Sequence, residues 1–190
     1  MQPTESEANA NKPRVNLAAL GILAIVSACV YAVDQLTKAL VTQNLPLGST
    51  VPFLGQLLQF HFVKNPGAAF SLGSGSTWVF AIIAGGVAVF IVLFARRIRS
   101  IGWAVLFGML LGGTLGNLTD RLAREPGFGR GHVVDFLQLY GFPAIFNIAD
   151  IAIVSSMCLF VLLTIAGVGL DGRREKRSRV LSQPGASDQS

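Results

Sequence analysis

Four long stretches without a charged side chain constrain this sequence more than any other feature. Their charged borders are Arg14 and Asp34, Lys64 and Arg96, Arg99 and Asp120, and Asp150 and Asp171. A helix needs about 20 mostly apolar residues to cross the hydrocarbon core of a bilayer, and each stretch is that long. Only 13% of the 190 residues are charged, against about 25% in soluble domains. The chain is therefore predicted to be an all-α membrane protein, which excludes the secreted, nuclear and cytosolic classes.

The predicted transmembrane helices cover residues 15–33, 77–95, 101–119 and 147–169. A tight turn at 96–100 keeps the second and third helices adjacent, and longer segments at 34–76 and 120–146 lie on the opposite side of the membrane. We expect one four-helix domain over residues 13–170. The polar residues 1–12 and the basic residues 171–190 have the composition of disordered tails.

The basic residues are distributed unevenly about these helices. Ten of the 15 Lys and Arg residues fall at the two termini or in the turn at 96–100. By the positive-inside rule, both termini are cytoplasmic and the two longer segments are extracytoplasmic. The net charge of +5 is thus a topology signal, and nucleic acid is not an expected partner.

The first outer segment contains a strand-like pattern. Apolar Leu58, Phe60 and Phe62 alternate with Gln59 and His61, and glycines interrupt the segment. This predicts a small extracytoplasmic β-rich segment between helices 1 and 2. Its aromatic residues are candidates for the membrane interface, namely Phe53, Phe60, Phe62 and Phe70. The pattern fits a substrate platform and an anchored loop equally well.

Two cysteines, Cys29 and Cys158, lie inside apolar spans and are predicted to be inert. The run Val26-Ser27-Ala28-Cys29 also has the form of a lipobox, the site at which bacterial lipoproteins are lipidated and cut. The apolar run continues past Cys29, whereas the apolar core of a signal peptide ends near its cleavage site. We therefore expect the first span to be retained.

Polar residues cluster at the outer ends of the first and third spans. Asp34 and Lys38 are four residues apart, which predicts an ion pair at the helix end. Asn117, Asp120 and Arg121 share one helical face. Asp120 and Arg121 could pair to hold the loop, or either could face a substrate. The preceding small residues permit close packing against a neighbouring helix, namely Gly108, Gly112, Gly113 and Gly116.

Two further carboxylates, Asp135 and Asp150, complete the outer polar set. Asp150 begins the fourth span and could simply cap it, but Asp135 has no such explanation. If the two carboxylates meet in a partly dehydrated site, one will hold a proton, as in aspartic proteases. A proton or ion relay and a purely structural pair remain open. The histidines lack partners at ligand spacing, so no metal site is expected.

The sequence resembles one known family, lipoprotein signal peptidase, also called signal peptidase II. The resemblance covers roughly residues 15–168 and rests on motifs that occur in the family's order. These motifs are Asp34-Gln35-Leu36-Thr37-Lys38, Val63-Lys64-Asn65-Pro66-Gly67-Ala68-Ala69-Phe70-Ser71, Gly116-Asn117-Leu118-Thr119-Asp120-Arg121, Val133-Val134-Asp135-Phe136 and Phe146-Asn147-Ile148-Ala149-Asp150.

The resemblance implies an aspartyl endopeptidase whose catalytic pair is Asp135 and Asp150. It makes Asp120 a structural residue beside Arg121. Substrate-binding or supporting roles carry over to Asn65, Gly67, Asn117, Asp120, Arg121, Asn147, Asp34 and Lys38. The loop Gly127-Phe128-Gly129-Arg130-Gly131 is longer than the family pattern and leaves the shape of that loop open.

The implied activity is removal of the signal peptide from diacylglyceryl-modified prolipoproteins, with cleavage just before the lipidated cysteine. The implied location is the bacterial inner membrane, with the site near the extracytoplasmic face. No cofactor is implied, the expected partners are the diacylated prolipoprotein and membrane lipid, and we expect a monomer. The alternative is a small transporter or proton-relay protein that uses the same carboxylates.

Overall fold

The computed structural model describes residues 16–67 and 77–173. Within these ranges lie four helices that are long and apolar enough to cross a membrane, as the sequence predicts. They are α1 (Leu17–Asn44), α2 (Thr77–Phe94), α3 (Ile101–Ala123) and α4 (Ile148–Ile165). The predicted disordered tails lie outside the described residues, except for residues 171–173.

Helix α1 is longer than predicted, because it continues from the expected end at residue 33 to Asn44. Asp34 and Lys38 do not end the helix, since both side chains are fully buried and paired inside the bundle. The helix ends where Leu45 takes an extended conformation. This is the conformation favoured before a proline, here Pro46.

Helix α3 is the centre of the bundle and packs against the other three helices. A Cβ atom at Gly112 would lie 2.6 Å from the Ser27 carbonyl oxygen of α1, and one at Gly113 would lie 2.6 Å from the Ala149 carbonyl oxygen of α4. The predicted close packing at these glycines is therefore confirmed. The two glycines bring a different helix against each side of α3.

A four-stranded antiparallel sheet closes one end of the bundle. Its strands are β1 (Thr50–Leu54), β2 (Leu58–Asn65), β3 (Val133–Leu139) and β4 (Ile145–Phe146), in that spatial order. The predicted β-rich segment between the first two helices is present. However, the chain between α3 and α4 supplies the other two strands, because the buried run from Val133 to Leu137 pairs with β2. The prediction of an all-α protein with one β-rich segment is therefore incomplete. Two separate segments of the chain supply two strands each to one sheet.

The phenylalanines of the first outer segment have different environments. Phe62 is only 5% exposed and packs with Val41, Val134 and Phe136 in a core between α1 and the sheet. Its predicted position at the membrane interface is therefore wrong, because its strand face is covered by α1. Phe53 is 57% exposed and remains a candidate, Phe60 packs against the same core, and Phe70 lies outside the described residues.

Both cysteines are free and exposed on the outer surfaces of their helices. Cys29 lies within the uninterrupted helix α1. The run that has the form of a lipobox is therefore part of a continuous helical span.

Candidate active site

Asp135 and Asp150 reach the same region from two different elements. Asp135 lies in the buried part of β3 and is only 3% exposed. Asp150 lies in the first turn of α4, where it forms a capping box with Asn147. The Asp150 backbone N–H donates to the Asn147 side-chain oxygen at 3.0 Å, and the Asn147 backbone N–H donates to Asp150 Oδ2 at 3.1 Å. Local helix capping thus holds the Asp150 carboxylate in place.

Each of the four carboxylate oxygens accepts a hydrogen bond from an asparagine. Asn147 Nδ2 donates to Asp135 Oδ1 at 2.6 Å, and Asn65 Nδ2 donates to Asp135 Oδ2 at 2.8 Å. Asn117 Nδ2 donates to Asp150 Oδ1 at 2.8 Å, while the Asn147 backbone holds Asp150 Oδ2. An oxygen that accepts one such bond keeps a second lone pair. Both carboxylates are therefore fixed and still able to bind a water molecule or a proton.

Asn147 links the two carboxylates directly. Its side-chain oxygen is occupied by the Asp150 N–H, so its amide nitrogen faces Asp135. The residue is fully buried, which prevents water from competing for these bonds. The sequence places Asn147 beside Asp150, but only the tertiary packing of β3 and α4 around α3 brings Asp135 to it.

The charge state of Asp135 is perturbed by this environment. Burial and the neighbouring Asp150 carboxylate raise the pKa of Asp135 to about 7, although the bonds from Asn65 and Asn147 and the charge of Lys38 favour ionisation. Two carboxylates in one dehydrated site resist double ionisation. At neutral pH, the pair can therefore hold one proton and one negative charge.

A fully buried lysine, Lys38, contacts the residues that surround the two carboxylates. Its ammonium group lies 2.9 Å from each of three acceptors, which are Asp34 Oδ2, Asp120 Oδ2 and Asn117 Oδ1. A lysine has three N–H donors and no acceptor, so this arrangement uses all of them. Because Lys38 faces the oxygen of the Asn117 amide, the amide nitrogen must face Asp150.

The predicted ion pair of Asp34 with Lys38 is confirmed, whereas the suggested pairing of Asp120 with Arg121 is wrong. Asp120 pairs instead with Lys38 and with Arg124, whose Nε lies 2.6 Å from Asp120 Oδ1. Its Oδ2 also accepts the Val134 backbone N–H at 3.1 Å. Adjacent residues on a helix point about 100° apart, so Asp120 turns toward α1 and β3 while Arg121 turns away.

Arg121 instead connects the end of β2 to α3. Its Nη2 donates to the Gly67 carbonyl oxygen at 2.9 Å and its Nη1 to the Asn117 carbonyl oxygen at 3.3 Å. The Gly67 N–H in turn donates to the side-chain oxygen of Asn65. Arg121 thereby helps to orient Asn65 toward Asp135, and its buried Nε has no hydrogen-bond partner among the described residues.

The structure brings all of the predicted site residues into one continuous hydrogen-bonded network at the sheet end of the bundle. They are Asp34, Lys38, Asn65, Gly67, Asn117, Asp120, Arg121, Asp135, Asn147 and Asp150. A cavity of about 740 Å³ opens beside the two carboxylates, and mostly apolar side chains line it. Among them are Leu137, Phe146, Ile153 and Val154. The site therefore consists of a polar hydrogen-bonded network beside an apolar cavity.

Two members of this network, Arg124 and Gln35, are not among the residues predicted from the sequence. Arg124 lies four residues after Asp120, and this helical spacing was a usable signal for their ion pair. Gln35 donates to Asp34 Oδ2 and to the Gly116 carbonyl oxygen, both at 3.1 Å. Only the close approach of α1 and α3 could reveal that contact. The described residues contain no group of three or more His, Cys, Asp and Glu side chains placed to hold a metal ion.

The loop that was expected to be longer than the family pattern folds against the end of α3. The Gly131 N–H donates to the Arg121 carbonyl oxygen, and the His132 N–H donates to the Glu125 carbonyl oxygen, each at 2.9 Å. A Cβ atom at Gly131 would collide with the Asp120 carbonyl oxygen. These backbone hydrogen bonds hold the loop against the end of α3 just before β3 begins.

Comparison with known proteins gives consistent matches along most of the chain. The family model described as signal peptidase (SPase) II matches residues 26–166. A lipoprotein signal peptidase of Leifsonia xyli subsp. xyli is 63% identical over 170 residues, which cover 90% of this chain and 79% of that protein. Another, from Mycobacterium avium, is 46% identical over 177 residues, covering 92% and 95%.

The fold also matches a solved structure, whose title is "Bacterial membrane enzyme structure by the in meso method at 2.3 A resolution". The TM-score is 0.70 at 27% sequence identity, and the match covers 84% of this chain and 94% of the other.

Proposed function

This chain belongs to the signal peptidase II family, and we propose that it is an intramembrane aspartyl endopeptidase with Asp135 and Asp150 as its catalytic pair. Its substrates are diacylglyceryl-modified prolipoproteins, and it cuts just before the lipidated cysteine. The transporter alternative is not favoured, because the relatives described above are named as peptidases.

One observation carries the assignment of the catalytic pair. Asn147 donates to Asp135 while it caps Asp150, and the two acids border one apolar cavity. A purely structural carboxylate pair would be expected to have a cation between its members. Here the cation Lys38 contacts Asp34 and Asp120 instead, which leaves Asp135 and Asp150 to share a proton.

Peptide hydrolysis needs a base and an acid at the same time. The ionised member of the pair takes a proton from a water molecule held between the two carboxylates, and the resulting hydroxide attacks the scissile carbonyl carbon. The protonated member donates a hydrogen bond to the carbonyl oxygen as negative charge develops there. Proton transfer to the leaving amine then completes the cleavage. The proton belongs to the coupled pair rather than to one residue.

The surrounding residues keep this site ordered and electrically balanced. Asp34, Lys38, Asp120 and Arg124 together carry no net charge. The single negative charge of the pair is offset by Arg121, which interacts electrostatically with both carboxylates. The attraction between opposite buried charges offsets the cost of removing them from water. The network therefore maintains the pair in the singly protonated state.

The apolar cavity supports a lipidated substrate. Its walls include Ile153 and Val154 of α4, whose outer surface is exposed where lipid would lie. The signal helix and the acyl chains can therefore approach from the bilayer, while the extended segment before the cysteine reaches the carboxylates. We place this end of the bundle at the extracytoplasmic face of the inner membrane and expect a monomer, since one chain supplies every donor to the pair.

The test is cleavage of a purified diacylated prolipoprotein by wild type, Asp135→Asn and Asp150→Asn. Each variant keeps the size of the side chain, and each should lower the cleavage rate at least about a thousand-fold. Asp171→Asn is the matched control, because Asp171 lies beyond the end of α4 that is opposite to Asp150, beside Arg173. Substantial cleavage by either dyad variant would disprove the catalytic pair. Proton-driven uptake into proteoliposomes without cleavage would favour the transporter.

A further inference from the structure

A second cavity lies on the face of α3 toward α1 and α2, and it shares no lining residue with the cavity beside Asp135 and Asp150. It is a groove of about 760 Å³ between α1 and α2, with α3 as its floor. Small and apolar residues form most of its walls, such as Leu23, Ala24, Ala28, Leu93 and Leu111. Such a groove in a membrane-spanning bundle faces the acyl chains of the bilayer.

The groove has a defined length and two different ends. Along α1 it runs from Leu20 to Tyr31, which is about 16 Å at 1.5 Å per residue. This matches one leaflet of a hydrocarbon core that is about 30 Å thick. One end lies at Tyr31, whose hydroxyl accepts a hydrogen bond from the Thr119 hydroxyl at 3.3 Å. Arg96 marks the other end, where α2 finishes.

The positive charge at the Arg96 end of the groove favours an anionic ligand. Arg96 is exposed and is absent from the ion pairs that the structure shows between described residues. The described acidic side chain at this end of the bundle, Asp171, pairs with Arg173. Neighbouring Arg97 does not line the groove and lies over the Phe94 ring at 5.7 Å. Arg96 is therefore available to a negatively charged headgroup.

We propose that this groove is a binding site for one anionic phospholipid of the leaflet on the Arg96 side. The phosphate pairs with the Arg96 guanidinium, and one acyl chain lies between α1 and α2 and ends near Tyr31. The lipid thereby occupies the space between α1 and α2 that no side chain of α3 fills. The site is separate from the cavity that takes the substrate, and it does not depend on the proposed peptidase function.

The test is native mass spectrometry of the full chain after exchange into phosphatidylglycerol or phosphatidylcholine with identical acyl chains. Wild type should retain one phosphatidylglycerol molecule, with a preference of about fivefold over phosphatidylcholine, the size expected for one arginine at the membrane surface. Arg96→Gln should remove this preference. Arg97→Gln makes the same change of charge outside the groove and should keep it.

A second pair of variants tests the acyl-chain site. Ala28→Trp fills the groove and should abolish retention of either lipid, whereas Ile25→Trp lies on the exposed outer surface of α1 and should not. Unchanged prolipoprotein cleavage by all four variants will confirm that they are folded. Equal loss of preference in the two arginine variants, or full retention in Ala28→Trp, overturns the proposal. If the wild type is a dimer and Ala28→Trp is a monomer, the groove is instead the contact with a second copy of the chain.

Discussion

At the scale of single residues, the protein depends on charges that have no contact with water. Lys38, Asp34 and Asp120 are each fully buried, and one ammonium group satisfies both carboxylates and the Asn117 amide. Burying an ion is costly unless every bond it can make is formed. The same contacts that offset this cost also point Asn117 at Asp150. Stability and the geometry of the proposed catalytic pair therefore rest on the same side chain.

Lys38→Met should be among the most damaging substitutions outside the proposed catalytic pair. It leaves Asp34 and Asp120 in one buried site without their shared cation, for which we expect a loss of about 3–5 kcal/mol. Cleavage should fall at least about a hundred-fold, because the Asn117 amide loses its orientation. Thermal denaturation in detergent and the prolipoprotein assay will measure both effects.

Lys64→Met is the control for Lys38→Met, since the Lys64–Glu125 pair is exposed and should contribute less than about 1 kcal/mol. The double variant Asp34→Asn/Lys38→Met leaves Asp120 paired with Arg124 and should recover part of the stability. If Lys38→Met is as stable as Lys64→Met, the buried network does not support the site as described.

The raised pKa of Asp135, about 7, predicts a loss of activity on the alkaline side. Below this pH the pair keeps its shared proton, and above it the proton is lost together with the acid needed for catalysis. The cleavage rate should therefore fall about tenfold per pH unit at pH values well above 7. A pH–rate profile with a saturating lipidated substrate will test this. A rate that stays constant to pH 9 would contradict it.

The same shift has a consequence for stability. A carboxyl group that holds its proton more tightly in the folded state stabilises the fold at low pH. This contribution is lost as the pH rises from the ordinary pKa of 3.8 to about 7. The melting temperature should consequently decline between pH 5 and pH 7. Asp135→Asn should show a smaller decline, because it removes the titrating group.

At the scale of secondary structure elements, the glycines of α3 determine how closely its neighbours approach. A Cβ atom at Gly108 would lie 2.8 Å from the Val26 Cβ of α1, and one at Gly113 would lie 2.6 Å from the Ala149 carbonyl oxygen. Both distances are too short for a real contact. Only the contact at Gly113 adjoins the helical turn that carries Asp150.

Gly113→Ala and Gly108→Ala should therefore differ in their effect on activity. Both should lower the melting temperature, but Gly113→Ala should also displace the start of α4 and reduce cleavage about ten- to a hundred-fold. Gly108→Ala should retain most of the cleavage rate of the folded fraction. Gly86→Ala on α2 has no described atom within 4 Å of the new Cβ and should be neutral or stabilising. Equal rates in the three variants would show that this packing does not position Asp150.

At the scale of the whole molecule, polar function is concentrated at one end of an apolar bundle. The sheet and the buried network occupy one end, and the exposed arginines Arg96 and Arg97 lie at the other. Basic residues favour the cytoplasmic side. The proposed catalytic pair is therefore expected to face the extracytoplasmic side.

Reporter fusions will test this orientation. Alkaline phosphatase inserted at the turn between β1 and β2, next to Gln56, should be active because that turn is expected to be extracytoplasmic. A fluorescent protein fused after Ser190 should be bright, since the fluorescent reporter folds in the cytoplasm. The opposite pattern would place both the sheet and the proposed catalytic pair on the cytoplasmic side.

The sequence by itself determined the membrane class, the number of helices and the residue types available for chemistry. These properties depend on local composition, because about 20 apolar residues are required wherever a helix crosses a bilayer. Even the helix-facing role of the glycines in α3 followed from their spacing. The motif resemblance added the family and its catalytic pair.

Only the tertiary structure decided which polar groups meet. Asp135 and Asp150 are joined through Asn147 because β3 pairs with β2 and α4 docks against α3. The choice of Arg124 rather than Arg121 as the partner of Asp120 depends on the rotation of α3 against its neighbours. Burial, charge pairing and the raised pKa of Asp135 all depend on distances between remote segments, and a local sequence pattern does not record such distances.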